Sequence, residues 1–369
     1  MLDTGEASDT TLPRRPDRWR DADLIDCDVH LPVPSFDQLE RHLDQRWRDY
    51  MTESGVRAVN PPLYPPNAPL SHHPGIVAIP PSSTATAGLD VLRTYVFDHW
   101  QASHAVTHCG IEISAIHNDD WALAMARAVN DWQVAEWLDQ EPRLRASLVV
   151  PPQNPEFAAQ EIDRLGDHPG FVQVLLPVRT EAPLGRRRYW PIYQAAERHD
   201  LAVGIHAGGV SGNPITPVGW PSYYLEDYVS IAQAFQAQVV SLVSEGVFTT
   251  HPRLRVVLIE GGFTWLPALM WRFDKNWKGL RREIPWVDQP PSEIIRRHIR
   301  LTTQPLDEPS DSRQLVETIE QLGDDAMLLF ATDYPHWQYD SGEGLLPTGL
   351  RDDLERAILA ANARATYRF

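Results

Sequence analysis

Eight short apolar or β-branched runs recur along this chain, and segments of helical periodicity separate most of them. The runs cover residues 24–30, 105–112, 144–150, 171–177, 202–207, 255–260, 299–303 and 327–333. Runs without regular polar alternation suit strands covered on both faces, and such strands belong to parallel sheets. Between them, 119–139, 189–199, 225–247, 264–280, 310–322 and 352–363 repeat apolar positions at helical spacing. Asn154-Pro155-Glu156 opens a further helix, with a capping asparagine before a first-turn proline. Eight strands alternating with helices predict the α/β class, as a distorted (β/α)8 TIM-type barrel with loop insertions. No GxGxxG fingerprint supports a dinucleotide-binding open sheet.

The 369 residues and 43% hydrophobic content suffice for one large core. The reading is a flexible arm over 1–22, then one barrel domain over 23–369. Insertions are expected at about 52–88, which is rich in proline, and at 208–227. The second follows a strand end, so it is expected to overhang the mouth of the barrel. The net charge of −17 disfavours nucleic acid and anionic membranes, because phosphate binding needs clustered Lys and Arg. No run approaches the ~20 apolar residues of a membrane span. The amino-terminal residues also lack a secretory apolar core, so the expectation is a cytoplasmic protein. Cys27 and Cys109 sit in apolar runs and read as buried, reduced thiols.

In a parallel barrel the carboxyl ends of all strands converge on one face, where chemistry is built. Metal-type side chains sit at four such ends. Asp28 and His30 are one residue apart, so a strand turns both to the same face. His206 ends the fifth run before Ala207-Gly208-Gly209, Glu260 ends the sixth, and Asp333 ends the eighth. Asp28, His30, His206 and Asp333 could hold one divalent ion with a position open to water or substrate. Each also has a bland reading: Asp28 or Asp333 as a turn or helix cap, and the histidines as hydrogen-bonded core residues. Glu260 reads as a second acid or base, an orienter of a histidine, or an arginine's partner. Asp333, Glu260 and His206 are the expected catalytic residues. Trp220, Tyr223 and Tyr224 are expected to wall the substrate, with His336 lining the pocket. Arg179 could bind a substrate carboxylate or could be a solvated surface residue. His251 reads as structural, one of His104 and His108 is expected to face the lumen, and His117 should start a helix. The fourth run has no lysine, so a carbamylated bridge between two metals has no source.

These residues resemble the amidohydrolase-related family, the group that contains aminocarboxymuconate semialdehyde decarboxylase-like enzymes. The resemblance spans roughly residues 24–368 and rests on 25–30, 128–131, 202–208, 246–265, 330–336 and 362–367. It implies one divalent metal, zinc or manganese. The family's first-strand pair, commonly H-x-H, corresponds to Asp28-x-His30, its fifth-strand histidine to His206, and its eighth-strand aspartate to Asp333. Where the decarboxylases carry a histidine at the end of strand six, this chain has Glu260. The first expectation is therefore a metal-dependent hydrolase of a small carboxylated or cyclic amide, ester or lactone. The alternatives are a non-oxidative decarboxylase of an aromatic or unsaturated acid, and a non-catalytic metal-binding barrel. Trp265, Trp271 and Trp277 on one helix suggest an interface, hence a homodimer or higher homo-oligomer.

Overall fold

The computed structural model describes residues 15–56, 85–209, 212–336 and 345–369. Eight parallel strands run in sequential order: β1 (Ile25–Leu31), β2 (His104–Cys109), β3 (Leu144–Val149), β4 (Phe171–Pro177), β5 (Ala202–His206), β6 (Val256–Ile259), β7 (Ile299–Thr302) and β8 (Leu328–Leu329). Helices such as Asp119–Gln133, Tyr224–Ser244 and Leu266–Leu280 follow them and cover the outside. This is the expected (β/α)8 barrel. Among the described residues no helix is long and apolar enough to cross a membrane.

β8 is much shorter than the run that predicted it. Its ladder stops at Leu329, yet the chain beyond still seals the barrel against β1. Cys27 N donates to Phe330 O at 2.9 Å and His30 N to Tyr334 O at 2.8 Å, and Val29 forms a parallel bridge with Tyr334. The Asp26 carboxylate completes the seam. One oxygen accepts from Thr332 N (3.0 Å) and Asp28 N (3.2 Å), and the other from Thr332 Oγ1 (2.6 Å). Backbone donors that a longer ladder would have paired are met by a side chain instead.

β1 carries a bulge. Its register with β2 shifts between Asp26 and Val29. The extra residue reverses the facing of the strand. Ile25 and Cys27 below it lie in the buried lumen cluster with Val106, Val172, Val257 and Leu329. Asp28 and His30 above it reach side chains of β5 and β6 across the lumen.

The floor of the barrel is closed by the end of the chain. Tyr367 joins the lumen cluster, and its hydroxyl donates to Gln173 Oε1 at 3.1 Å. The Arg368 guanidinium donates to the carbonyls of Phe171, His199, His168 and Gly166.

The expectation of a loose arm does not hold over its described part, residues 15–22. Trp19 is fully buried, meets the Phe330 ring edge-on at 5.6 Å, and donates to Glu355 Oε1 at 2.9 Å. Burying an indole and satisfying its N–H outweighs the polarity of its neighbours. The remainder of the arm and most of the 52–88 insertion lie outside the described residues. Trp265 and Trp277 are packed against the core and donate to Gly261 O and Val287 O, leaving Trp271 as the exposed member of that trio.

Tyr367→Ala removes a ring from a closed lumen and leaves Gln173 short of a donor. Aromatic-to-alanine changes at such sites cost about 3–5 kcal/mol. Denaturant unfolding of this variant is expected to show a loss of that order; a loss within about 0.5 kcal/mol of zero, typical of surface positions, rules the floor contact out as a stabilising element.

Candidate metal centre

Six side chains converge at the carboxyl mouth: Asp28 and His30 from β1, His206 from β5, Glu260 just past β6, and Asp333 and His336 past β8. Two overlapping groups, Asp28–His30–His206–Glu260 and His30–Glu260–Asp333–His336, each bring one donor atom per residue within 4.8 Å of the others. His30 Nε2 lies 2.9 Å from Glu260 Oε1, 3.1 Å from Asp333 Oδ1 and 3.3 Å from Asp28 Oδ1. His206 Nε2 lies 3.5 Å from Glu260 Oε1 and 3.9 Å from Asp28 Oδ1. Donors about 2.1 Å from one ion sit about 3.0 Å apart at right angles and about 3.4 Å apart at the tetrahedral angle. The observed separations are close to those edges. Because a single imidazole nitrogen offers one lone pair, the groups that share His30 describe one ion rather than two.

The hydrogen bonding leaves donors free for such an ion. Neither carboxylate oxygen of Asp28 has a hydrogen-bond partner, although the residue is fully buried. His206 Nδ1 lies 2.6 Å from Ala207 O, and a carbonyl only accepts, so the proton is on Nδ1. Its Nε2 is buried and without a hydrogen-bond partner, facing the cluster. Orphaned buried acceptors are costly, and a cation satisfies them together. The residues present therefore fit a divalent ion, zinc or manganese.

Without an ion, protons balance the charge. Burial would lower the pKa of His30, but Asp28, Asp333 and Glu260 hold it well above the imidazole range. His336 is likewise pushed up to about 9, burial being outweighed by Asp333. Burial would raise Asp28 and Glu260, yet the histidines hold both below the usual carboxylate range, His206 foremost. Asp333 is raised to about 6 by burial and by the charge of Glu260. A metal replaces these protons as it enters.

Backbone conformation marks the same residues. Glu260 and Asp333 both adopt left-handed conformations, with φ of 60° and 58°. That region costs non-glycine residues about 1–3 kcal/mol and is held at functional sites by surrounding structure. Glu260 N is tied to Thr302 Oγ1 at 3.1 Å, and Asp333 follows the Thr332 clamp. The left-handed turns end β6 at Ile259 and aim both carboxylates inward.

The other anticipated residues divide. His336 joins the cluster, with Nδ1 2.6 Å from Asp333 Oδ1. Tyr224 is half-buried, its ring 5.7 Å from that of Tyr228. Tyr223, the residue before the helix Tyr224–Ser244, is 71% exposed, and Trp220 is 50% exposed. The helix turns Tyr223 to solvent, so this structure does not bring it to the cluster. Arg179 is neither solvated nor free: it is buried in an ion pair with Asp227 on that helix. His251 is buried and structural, as expected.

Two residues near the centre, Asp26 and Tyr228, were not named from sequence, and of His104 and His108, one of which was expected to face the lumen, it is His108 that reaches Asp28. Asp26 braces the seam. His108 is fully buried in β2, and burial lowers its pKa to about 4, so the ring is neutral. Its pairing with His30 across the ladder was the available signal. Tyr228 lies near the acids: burial, then the charges of Glu260 and Asp333, push its phenol up. Its place one helical turn after Tyr224 was the only hint in the sequence.

Comparison with known proteins agrees with this architecture. The family model described as amidohydrolase matches residues 25–369. A gamma-resorcylate decarboxylase of Rhodococcus jostii is 26% identical over 242 residues, covering 60% of this chain and 70% of the relative. The crystal structure of a 2,6-dihydroxybenzoate decarboxylase from Rhizobium superposes with a TM-score of 0.67 at 20% identity, covering 94% of this chain and 98% of the other. A dihydroxybenzoic acid decarboxylase from a Polaromonas species, with bound manganese and the inhibitor 2-nitroresorcinol, gives 0.63 at 19% identity, over 94% and 96%.

An ion that binds only the folded centre stabilises it, by about 2.7 kcal/mol at a hundred times its Kd. Thermal unfolding after chelation and again with added Mn2+ or Zn2+ is expected to show a lower and then a restored midpoint. Superimposable melts contradict the centre.

Proposed function

The chain belongs to the amidohydrolase family, and on that premise we propose that it is a metal-dependent, non-oxidative decarboxylase of a hydroxylated aromatic acid. The observation that carries this reading is that the curated relatives, matched over 70–80% of their own length, are gamma-resorcylate decarboxylases. They support the second of the sequence-based expectations over hydrolysis, which rested on Glu260 standing where the decarboxylases carry a histidine.

In this reading Asp28, His30, His206 and Asp333 hold the ion. An ion held by them would supply Lewis-acid chemistry to the carboxylate and neighbouring hydroxyl of the substrate. The bond between the ring carbon and the carboxylate breaks, its electron pair stays on the ring, and CO2 leaves. The ring carbon takes its proton by way of Asp333, which relays it from His336. His336, partly exposed and in contact with Asp333, returns a proton from solvent. Glu260 Oε1 faces His30 Nε2 at 2.9 Å and holds the ring of His336, whose Nδ1 lies 3.4 Å away. Tyr224, Tyr228 and the Trp220 loop wall the mouth.

Two further readings accompany this one. The unpaired, buried Cys27 and Cys109 support the cytoplasmic location expected from sequence. Trp271 and Leu280, exposed on the helix Leu266–Leu280, support self-association as a homodimer or larger assembly, which light scattering behind size exclusion tests directly; a monomer at micromolar concentration refutes it.

Incubation with 2,6-dihydroxybenzoate in D2O is expected to release CO2 and leave one deuterium on the ring carbon that lost it. A hydrolase would instead cleave an amide, ester or lactone and carry 18O from labelled water into the product. Asp333→Asn is expected to keep the metal and lose roughly 10²–10⁴ in kcat, the span of general acid catalysis. Unaltered turnover in that variant removes Asp333 as the acid.

A further inference from the structure

We propose that His108 is a positioning residue for Asp28, and that a hydrogen-bonded chain along the barrel axis, Tyr367–Gln173–Ser147–His108, fixes the tautomer in which it acts. This rests on Asp28 being a metal ligand.

The contacts form an unbroken line from floor to mouth. Tyr367 hydroxyl meets Gln173 Oε1 at 3.1 Å, Gln173 Nε2 meets Ser147 Oγ at 2.9 Å, and Ser147 Oγ meets His108 Nδ1 at 2.9 Å. His108 Nε2 ends the line, 3.2 Å from Cys27 O and 3.6 Å from Asp28 Oδ1. All of these residues are buried. The sequence makes room for the line at Gly204, where a Cβ would lie 2.5 Å from the Gln173 amide.

Its polarity follows from its upper end. A carbonyl and a carboxylate both only accept, so the His108 proton sits on Nε2, facing Cys27 O and Asp28. Nδ1 is then an acceptor, and Ser147 must donate to it. Having donated its only proton, Ser147 accepts from the Gln173 amide, which fixes the amide's orientation. Gln173 Oε1 in turn accepts from Tyr367. Every donor in the line points towards Asp28.

The end of the line falls on the β1 bulge. His108 pins the carbonyl of Cys27, the residue before Asp28, and presents the same N–H towards an Asp28 oxygen that has no hydrogen-bond partner. The His108 ring also meets the His206 ring edge-on at a centroid distance of 5.5 Å. It thus sets the position of one ligand and the orientation of another. Partners that orient ligands in this way change metal affinity by about 10–100-fold when lost.

The test uses the full chain as wild type, Ser147→Ala and Tyr367→Phe. Mn2+ affinity is read from loss of the free-ion electron paramagnetic resonance signal. The His108 tautomer is read from 15N shifts of histidine-labelled, zinc-loaded protein, with the resonance assigned by its absence in His108→Asn. Wild type is expected to show the Nε2–H tautomer. Ser147→Ala is expected to bind Mn2+ about 10–100-fold more weakly, and Tyr367→Phe, which keeps the ring and the packing, several-fold more weakly. If Ser147→Ala does not fold, Tyr367→Phe and the wild-type tautomer decide. An Nδ1–H tautomer, or wild-type affinity in the folded variants, overturns the proposal alone. Wild-type protein that takes up neither Mn2+ nor Zn2+ overturns the metal centre, and this proposal with it.

Discussion

The barrel depends on how its first strand meets the residues after its last. β7 and β8 pair over only two register positions, and the chain leaves the ladder before it has sealed against β1. Asp26 closes the gap by binding Thr332 through both backbone and side chain while holding Asp28 N. The clamp sits between residues 28 and 333, which supply carboxylates on either side of His30. Burial raises the Asp26 carboxyl to about 7, against the pull of these bonds. A costly buried acid is tolerated there because no apolar residue could serve donors from both strands. Closing the fold and aligning the centre are therefore one problem, met by one side chain.

The centre above the clamp is assembled against local preference. Glu260 and Asp333 adopt left-handed backbone, Asp28 keeps two oxygens without hydrogen bonds, and His206 turns inward a nitrogen without a hydrogen-bond partner. Each feature costs stability in isolation. They cluster within one site because the same cation answers them together, and the rest of the barrel supplies the stability they forgo. The lumen beneath is largely apolar, but a line of polar side chains crosses it with every hydrogen-bonding group along the line satisfied. Such a network is tolerable in a low-dielectric interior only when it is complete.

Much of this was legible in the sequence because it followed periodicity. The eight strands lie within a few residues of their apolar runs, and the D-x-H pair, His206, Glu260, Asp333 and His336 do meet at one mouth. What periodicity could not convey were its interruptions. The bulge in β1 changes which residues face the lumen, and nothing in Asp26-Cys27-Asp28 announces it. β8 leaves its ladder at Leu329, and Asp333 then takes a left-handed turn of which its residue type gives little warning. Trp19 looked like part of a polar arm because its partners, Phe330 and Glu355, are more than three hundred residues away. Arg179 looked solvated because Asp227 lies on another element. His108 was one histidine among several until its pairing with His30 and its contacts with Ser147 and Cys27 were visible. Tyr223 and Tyr224 were indistinguishable as neighbours, and only the start of a helix between them sends one to solvent and the other inward.

The seam also orders events in time. His30 and Asp333 are 303 residues apart, so a ribosome must add that length of chain after His30 before the two can meet. While the chain is being synthesised, the early half of the donor set exists only as an acidic residue and a histidine on an unsealed strand. Tight capture of an ion must await the late residues that supply Asp333 and, beyond it, the Tyr367 floor. An ion seated with the full set therefore reports a finished barrel, and nascent or truncated chains are poor competitors for the cell's scarce transition metals.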